Sequence, residues 1–472
     1  MAQTLALVIL ILGTMMAVPG LVDFALGNRD WIAFAAASTS SLTLGMLLFV
    51  ATRRQAIDMT RREIFLFVPT SWLISAALAA LPFYFSNLGL SYTDAFFEAT
   101  SGLTTTGSTV LTELDTKPPG ILLWRSMTQW IGGLGIVVMG LILLPFLKSG
   151  GQQLFQLESS DKSGKPFAHA STFSKRIAYT YLALSILCVI AYASLGMTTF
   201  EAVNHAMTTV STGGYSTSDA SMGQFGSTAM LITSSLFMFI GGLPFLFLIY
   251  LAGGRFERDQ QIRYYVAITI VATLCLFAIS AIRYDDGGLH RFASTLFNVV
   301  SVITTTGYAS EDYQLWGPSA VVIFFFLTFI GGCAGSTAGG FKQFRIVVVQ
   351  QVVVSALTRT FRPNQMVKMR YGTRRLEPTV TESVMVFSML YTATFIFFAI
   401  IYGLYGLDFE TAISASATAI ANVGPGLGPV IGPAGNFATL ADPIKWMLCF
   451  EMIVGRLEMM TVFVLLMPGF WQ

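Results

Sequence analysis

A short polar segment built around glycine recurs four times in this chain, and each copy is followed by a second shared mark. The copies are Thr104-Thr-Thr-Gly107-Ser-Thr109, Ser211-Thr-Gly213-Gly-Tyr-Ser216, Thr304-Thr-Thr-Gly307-Tyr-Ala309 and Asn422-Val-Gly424-Pro425. The aligned glycines are 106, 94 and 117 residues apart, which sets a unit of about 100 residues. The second mark follows each glycine by about 25 to 30 residues. It reads Trp130-Ile-Gly-Gly133, Phe239-Ile-Gly-Gly242, Phe329-Ile-Gly-Gly332 and, decayed, Met452-Ile-Val-Gly455. Two marks in the same order, four times, define a repeat architecture. Each copy also follows a helix-compatible stretch that begins near Asp94, Thr199, Asp286 or Asp408.

The apolar background decides what such a repeat is embedded in. Of the 472 residues, 54% are hydrophobic and 11% are charged, and the mean hydropathy is +0.68. An average soluble domain carries about 25% charged residues, so a water-soluble enzyme is excluded. Apolar runs fall near 4–26, 32–52, 64–86, 121–147, 176–196, 228–251, 261–282, 318–354 (interrupted), 380–406 and 444–467. These ten runs are long enough for membrane helices and lack the alternation of a β-barrel. Residues 1–27 lack a basic leader and read as a retained first span. The four cysteines sit in apolar stretches without metal spacing and read as reduced core residues. A net charge of +2 carries no nucleic-acid signal.

The expected fold is therefore an all-α polytopic membrane protein. Four membrane–pore–membrane repeats surround one pseudo-four-fold pore, and two extra helices precede them. The expected limits are 1–60 for the two N-terminal helices and 61–150, 151–256, 257–375 and 376–472 for the repeats. Twenty of the 27 Lys and Arg residues fall in the stretches 53–63, 148–176, 252–263 and 356–378 or at Lys342 and Arg345. The positive-inside rule places these in the cytoplasm, with both termini. The opposite face carries Glu113, Asp115, Asp219, Glu311, Asp312, Asp408 and Glu410. These are either solvated loop residues or a means of raising local cation concentration.

Polar extended backbone at membrane depth must line water or be buried in protein. Four such segments on a common axis give each other that setting. A half-helix entering from outside aims its negative carbonyl end at the membrane centre, which favours cations. Glycine then lets carbonyls turn toward the axis and replace the water shell of K⁺. The candidate filter residues are Thr105, Thr106, Gly107, Ser211, Thr212, Gly213, Thr305, Thr306, Gly307, Asn422, Val423 and Gly424. K⁺ would be held by their backbone carbonyls, and no catalytic residues are expected. The competing reading is four helix caps and turns.

Two further features sit below the filter in sequence. Residues 331–340 hold five glycines, each costing about 0.8–1.0 kcal/mol relative to Ala in a helix. The third inner helix should break there, with Ser336, Thr337 and Lys342 making the break polar. Gly335, Ser336, Thr337, Gly339, Gly340, Lys342 and Arg456 are the candidate gate; a small-residue packing face is the alternative. Arg456 lies near the middle of the last apolar run. A charge there costs roughly 2.5–3.5 kcal/mol on insertion scales, so it needs a wet cavity or a partner. Glu451 and Glu458 are not beside it on one helix face, which points to a partner on another repeat or to an interhelical ion pair.

The four segments, together with Gly331-Gly-Cys-Ala-Gly-Ser-Thr-Ala-Gly-Gly-Phe-Lys342, resemble the Trk/Ktr/HKT superfamily of cation transporters. The likeness is nearest to the bacterial Trk membrane subunit and includes its two extra N-terminal spans. It implies K⁺ uptake across the bacterial inner membrane by a homodimer with one pore per subunit. It also implies an intramembrane gating loop at 331–342 and an arginine at position 456 that faces the pore and acts with that loop. Na⁺-selective plant members often carry serine at the first filter glycine; Gly107 here favours K⁺. The fourth segment, with Asn422, Val423 and Pro425, departs from the Thr-x-Gly pattern and leaves the symmetry of coordination open. The resemblance further implies a cytosolic, TrkA-like ring subunit that binds nucleotide (ATP/ADP or NAD), this chain itself binding no cofactor. Loops 148–176 and 356–378 are its candidate docking sites. A symporter coupled to H⁺ or Na⁺ remains the alternative, with Glu451 as its one midspan acid. A membrane enzyme would need a His, Cys or Asp cluster that the sequence lacks.

Overall fold

The computed structural model describes residues 1–53, 59–143, 166–256, 258–284, 288–365, 367–372 and 374–472. Arg54, Lys148, Lys162, Lys165, Asp286 and most of loop 148–176 lie outside the described residues, as does the junction expected at 150–151. Among the described residues, eight helices are long and apolar enough to cross a membrane, or nine with one bent pair. The only sheet among them is the two-stranded hairpin of Arg370–Tyr371 and Arg374–Arg375.

The first two helices, Ala2–Ala25 and Trp31–Thr52, pack as an antiparallel pair. Small residues allow the close approach: Ser38 Oγ donates to Gly13 O over 2.8 Å. The pair is tied to the first repeat at one end. Asp23 accepts from Gly120 N (2.8 Å), and Asp30 accepts from Asn87 N and Nδ2 (3.0 and 2.8 Å).

Each repeat then contributes a long helix, a short helix, a glycine segment and a second helix. The short helices are Tyr92–Leu103, Thr199–Val210, Leu289–Ile303 and Phe409–Ala421. Three begin with a side-chain cap. Ser91 accepts from Asp94 N, Thr198 forms a capping box with Glu201, and Asp408 accepts from Thr411 N. Hydrogen bonds from Thr411 hold the Asp408 carboxyl below the usual carboxylate range.

Among the described residues the ten apolar runs are helical; beside a slight interruption at Ala80, three are broken rather than the one expected. The run 228–251 bends by 103° between Thr228–Gly241 and Phe245–Ala252. Pro244 supplies the reason, since it has no N–H to continue the ladder. The third inner helix stops at Phe329 and resumes at Gln343. The last run ends its helix at Arg456, where Glu458 takes φ 63°, and a short helix Met459–Phe463 follows. Arg456 therefore closes a helix instead of standing in the middle of one.

The second marks are the contact points of this packing. A Cβ on Gly132 would lie 1.8 Å from Leu103 O, and one on Gly455 would lie 2.1 Å from Ile420 O. A Cβ on Gly241 would lie 3.2 Å from Val210 O. In these three repeats the glycine lets the inner helix touch the end of its short helix. In the third repeat Gly331 instead faces Gly339 O at 2.1 Å, because the chain folds back there.

Candidate ion-conducting site

The four short helices end in the same way. Thr105, Thr212, Thr305 and Asn422 take φ values of 53°, 53°, 56° and 56°. Their N–H groups reach back three residues, and the next N–H reaches back five, as in Thr106 N→Ser101 O (2.9 Å) and Thr306 N→Ser301 O (2.8 Å). This is the Schellman ending, normally made with glycine or asparagine. Threonine is β-branched and resists positive φ. Three threonines held this way store strain of about 1–3 kcal/mol each, which tertiary contacts must impose.

A second positive-φ residue follows two positions later in every copy: Gly107 (88°), Gly214 (79°), Gly307 (81°) and Gly424 (107°). The register of the second copy thus differs from the expected one. Gly214 matches Gly107, and Gly213 occupies the place of Thr106. Sequence alignment on the first glycine of a Gly-Gly pair could not separate the two. The room that a threonine side chain would need at Gly213 is filled by Gln129, whose amide lies 2.4 Å from a Cβ built there. Gln129 Nε2 donates to Gly213 O (2.6 Å), and its Oε1 accepts from Tyr215 N (3.0 Å).

These glycines close a ring. A Cβ on Gly107 would lie 2.2 Å from Gly213 O, one on Gly214 1.8 Å from Thr306 O, and one on Gly307 2.0 Å from Val423 O. One on Gly424 would lie 2.7 Å from Thr106 O, which returns to the first copy. Each glycine makes room for the carbonyl of the next repeat. The side chains of the fourth copy differ, yet its backbone keeps the pattern, and Asn422 Nδ2 donates to Thr106 Oγ1 (3.0 Å) and Met452 O (2.9 Å). Among the described residues, no protein donor satisfies the carbonyls of Thr105, Thr106, Thr305, Thr306, Asn422 and Val423. Buried carbonyls left open in this way need water or a cation. On one side the four positive-φ glycines floor a cavity of about 250 Å³. Of the seven acids expected at the mouth, Asp219 lines it. Glu311 instead pairs with Arg291 at 2.8 Å.

On the other side lies loop 330–342, buried against three of the four segments. Gly339 N donates to Thr305 Oγ1 (2.6 Å). Thr337 Oγ1 donates to Val210 O and Gly241 O (both 3.1 Å). A Cβ on Gly339 would lie 2.5 Å from Ala421 O. The bend in the second inner helix frees the groups that receive the loop: Cys333 N donates to Gly242 O and Phe245 N to Gly335 O, both at 2.9 Å. Gly335 (φ 80°) and Gly340 (φ 67°) make its turns. Ser336 caps within the loop, Oγ to Cys333 O (2.7 Å), and Lys342 Nζ donates to Ala338 O.

Arg456 is buried and makes no ion pair among the described residues. Its Nη2 donates to Thr337 O (2.8 Å), so its partner is on another repeat, as expected, but is a main-chain carbonyl. Glu458 pairs with Arg345 of the third repeat. Glu451 is buried behind the ring, accepting from Ser416 Oγ (2.6 Å) and Tyr402 OH. Glu98, Arg125 and Gln129, which lie outside the repeated marks, stand behind the first two segments. Arg125 is a charge inside the run 121–147, the same signal that singled out Arg456.

The fold and this site define a multi-pass helical membrane protein in which four repeats of one chain bring their glycine segments together in one ring. The chain belongs to the TrkH family, described as cation transport proteins, whose model matches residues 32–283 and 288–469. It is 42% identical to the Trk system potassium uptake protein TrkI of Halomonas elongata, over 100% of this chain and 96% of that one. It is 35% identical to the Trk system potassium uptake protein TrkH of Salmonella typhimurium, over 99% and 97%. The crystal structure of the potassium transporter TrkH from Vibrio parahaemolyticus matches with a TM-score of 0.91 at 31% identity, covering 100% of this chain and 99% of that one.

Proposed function

We propose that this protein is a transporter, not an enzyme, that takes up K⁺ across the bacterial inner membrane by channel-like permeation. The four glycine segments are the selectivity filter, with Gly214 added to the residues named from sequence. The observation that carries this reading is the closed ring in which Gly107, Gly214, Gly307 and Gly424 each admit the next repeat's carbonyl. Carbonyls held by a protein frame replace the ion's hydration shell without a carboxylate.

Loop 330–342 is the gate, held across the axis by Thr305, Val210, Gly241 and Arg456. The Arg456 guanidinium adds a positive charge below the filter, which disfavours cations while the loop is in place. The expected repeat limits, the cytoplasmic termini, the homodimer and the nucleotide-binding cytosolic ring partner belong to this reading. Loop 356–378, which contains the hairpin of Arg370–Arg375, remains a candidate for docking.

The test is radiolabelled Rb⁺ uptake into proteoliposomes holding the full chain, with competition by K⁺, Na⁺ and Li⁺ and no proton gradient. Voltage-driven uptake suppressed by K⁺ far better than by Na⁺ supports the reading. Uptake that appears only with a pH gradient favours coupled transport instead.

A further inference from the structure

The ring is braced differently in its four quarters. In three repeats the amide three residues after the positive-φ glycine is held by a side chain of the short helix, and in the second a short-helix side chain instead meets a hydroxyl two residues after that glycine. Asn298 Oδ1 accepts from Ser310 N (3.2 Å), Ser414 Oγ accepts from Leu427 N (2.9 Å), and His205 Nε2 meets Ser216 Oγ (3.0 Å). In the first repeat the brace is a carboxylate: Glu98 Oε2 accepts from Val110 N, and both oxygens accept from Thr109 Oγ1, all at 3.0 Å.

That carboxylate is neutralised by Arg125, whose Nε donates to Glu98 Oε1 over 2.7 Å. Both side chains are buried, at 0% and 1% exposure. Nη2 of the guanidinium donates to Thr109 Oγ1 (3.2 Å) in the first repeat, and its other edge and its face reach the second. Nη1 donates to Ser216 O (2.8 Å), and the plane stacks 4.0 Å from the centre of Tyr215. Tyr215 OH closes the circuit on Glu98 O (2.9 Å) and Ser108 O (3.2 Å). Arg125 also borders the cavity floored by the glycines. At the matching inner-helix positions, counted back from Gly241, Gly331 and Gly455, stand Ser234, Phe324 and Leu448.

We propose that Glu98 and Arg125 are positioning residues that determine ion specificity, the buried pair fixing the first and second carbonyl strands as one rigid wall of the filter. The inference rests on the filter reading above. Charge-assisted hydrogen bonds are shorter and stronger than neutral ones, so this wall resists the contraction that would let a smaller ion be coordinated. The other walls, held by neutral groups, follow the bound ion.

The experiment compares full-length wild type, Arg125→Lys, Glu98→Gln/Arg125→Gln, Thr109→Val and Gly107→Ser. It measures K⁺/Na⁺ permeability ratios in proteoliposomes and the difference in unfolding temperature of purified protein in K⁺ and in Na⁺. Lysine keeps the charge but loses the fork to Ser216 O. The double variant keeps polar side chains without unpaired charge. Thr109→Val removes one hydroxyl and leaves the ion pair, so it reports on the link even where the buried-pair variants do not fold. The expected result is a fall of about tenfold in the ratio for the first two, a smaller fall for Thr109→Val, and loss of the K⁺-specific stabilisation. Unchanged ratios and unchanged stabilisation in every folded variant, while Gly107→Ser lowers the ratio, overturn this inference and leave the filter standing. An unchanged ratio in Gly107→Ser as well overturns the filter reading and this inference with it.

Discussion

Arg456 Nη2 donates to the carbonyl oxygen of Thr337 across 2.8 Å, joining the end of the last inner helix to the loop that interrupts the third. A hydrogen bond from a charged group contributes about 1.5–3 kcal/mol. If the loop blocks the axis, that is enough to change its open population by about tenfold or more. Arg456→Ala is expected to raise Rb⁺ uptake by protein reconstituted without any partner. Lower uptake by a normally folded variant would count against a blocking role.

The same equilibrium can be displaced without touching a charge. Gly339 has Ala421 O 2.5 Å from the position of a Cβ. That neighbour is backbone and cannot yield cheaply, so Gly339→Ala pushes the loop off its seat. Basal uptake should rise, as it should on shortening 333–339. A variant with wild-type basal uptake and normal expression would show that the loop does not limit flux.

The revised register separates two adjacent glycines. A Cβ on Gly214 meets Thr306 O at 1.8 Å and sits at φ 79°. One on Gly213 meets the movable amide of Gln129. Gly214→Ala should therefore abolish selective uptake, whereas Gly213→Ala should retain it in part and recover further with Gln129→Ala. Equal losses in both single variants, measured as K⁺/Na⁺ permeability ratios, would contradict the register.

Glu451 bears on mechanism. It is bound to Ser416 and Tyr402, away from the carbonyl ring. Passive permeation predicts that Glu451→Gln leaves uptake indifferent to an imposed pH gradient, as in wild type. Its expected effect is on stability, about 1–3 kcal/mol for a buried hydrogen-bonded group, read by thermal unfolding. Wild-type uptake that follows the pH gradient and loses that dependence in the variant would establish coupling.

Much of this protein was legible as pattern. Apolar runs of membrane length, four glycine segments and four second marks determined the class of fold, because spanning helices and their polar interruptions follow from local composition. The glycine break after Phe329 and the isolated charge of Arg456 were legible for the same reason. What tertiary structure decided were the pairings. Only the assembled axis shows that Gly214 matches Gly107, since both glycines of the second copy satisfy the local pattern and the choice is made by Thr306 O across the ring. Only packing shows that the helix 228–241 turns at Gly242 to receive Cys333, or that Arg456 meets a carbonyl 119 residues away. The Glu98–Arg125 pair belongs to the same class. Each charge is expensive when buried alone, and the partner that makes it tolerable is fixed by the approach of two helices, which no local sequence signal encodes.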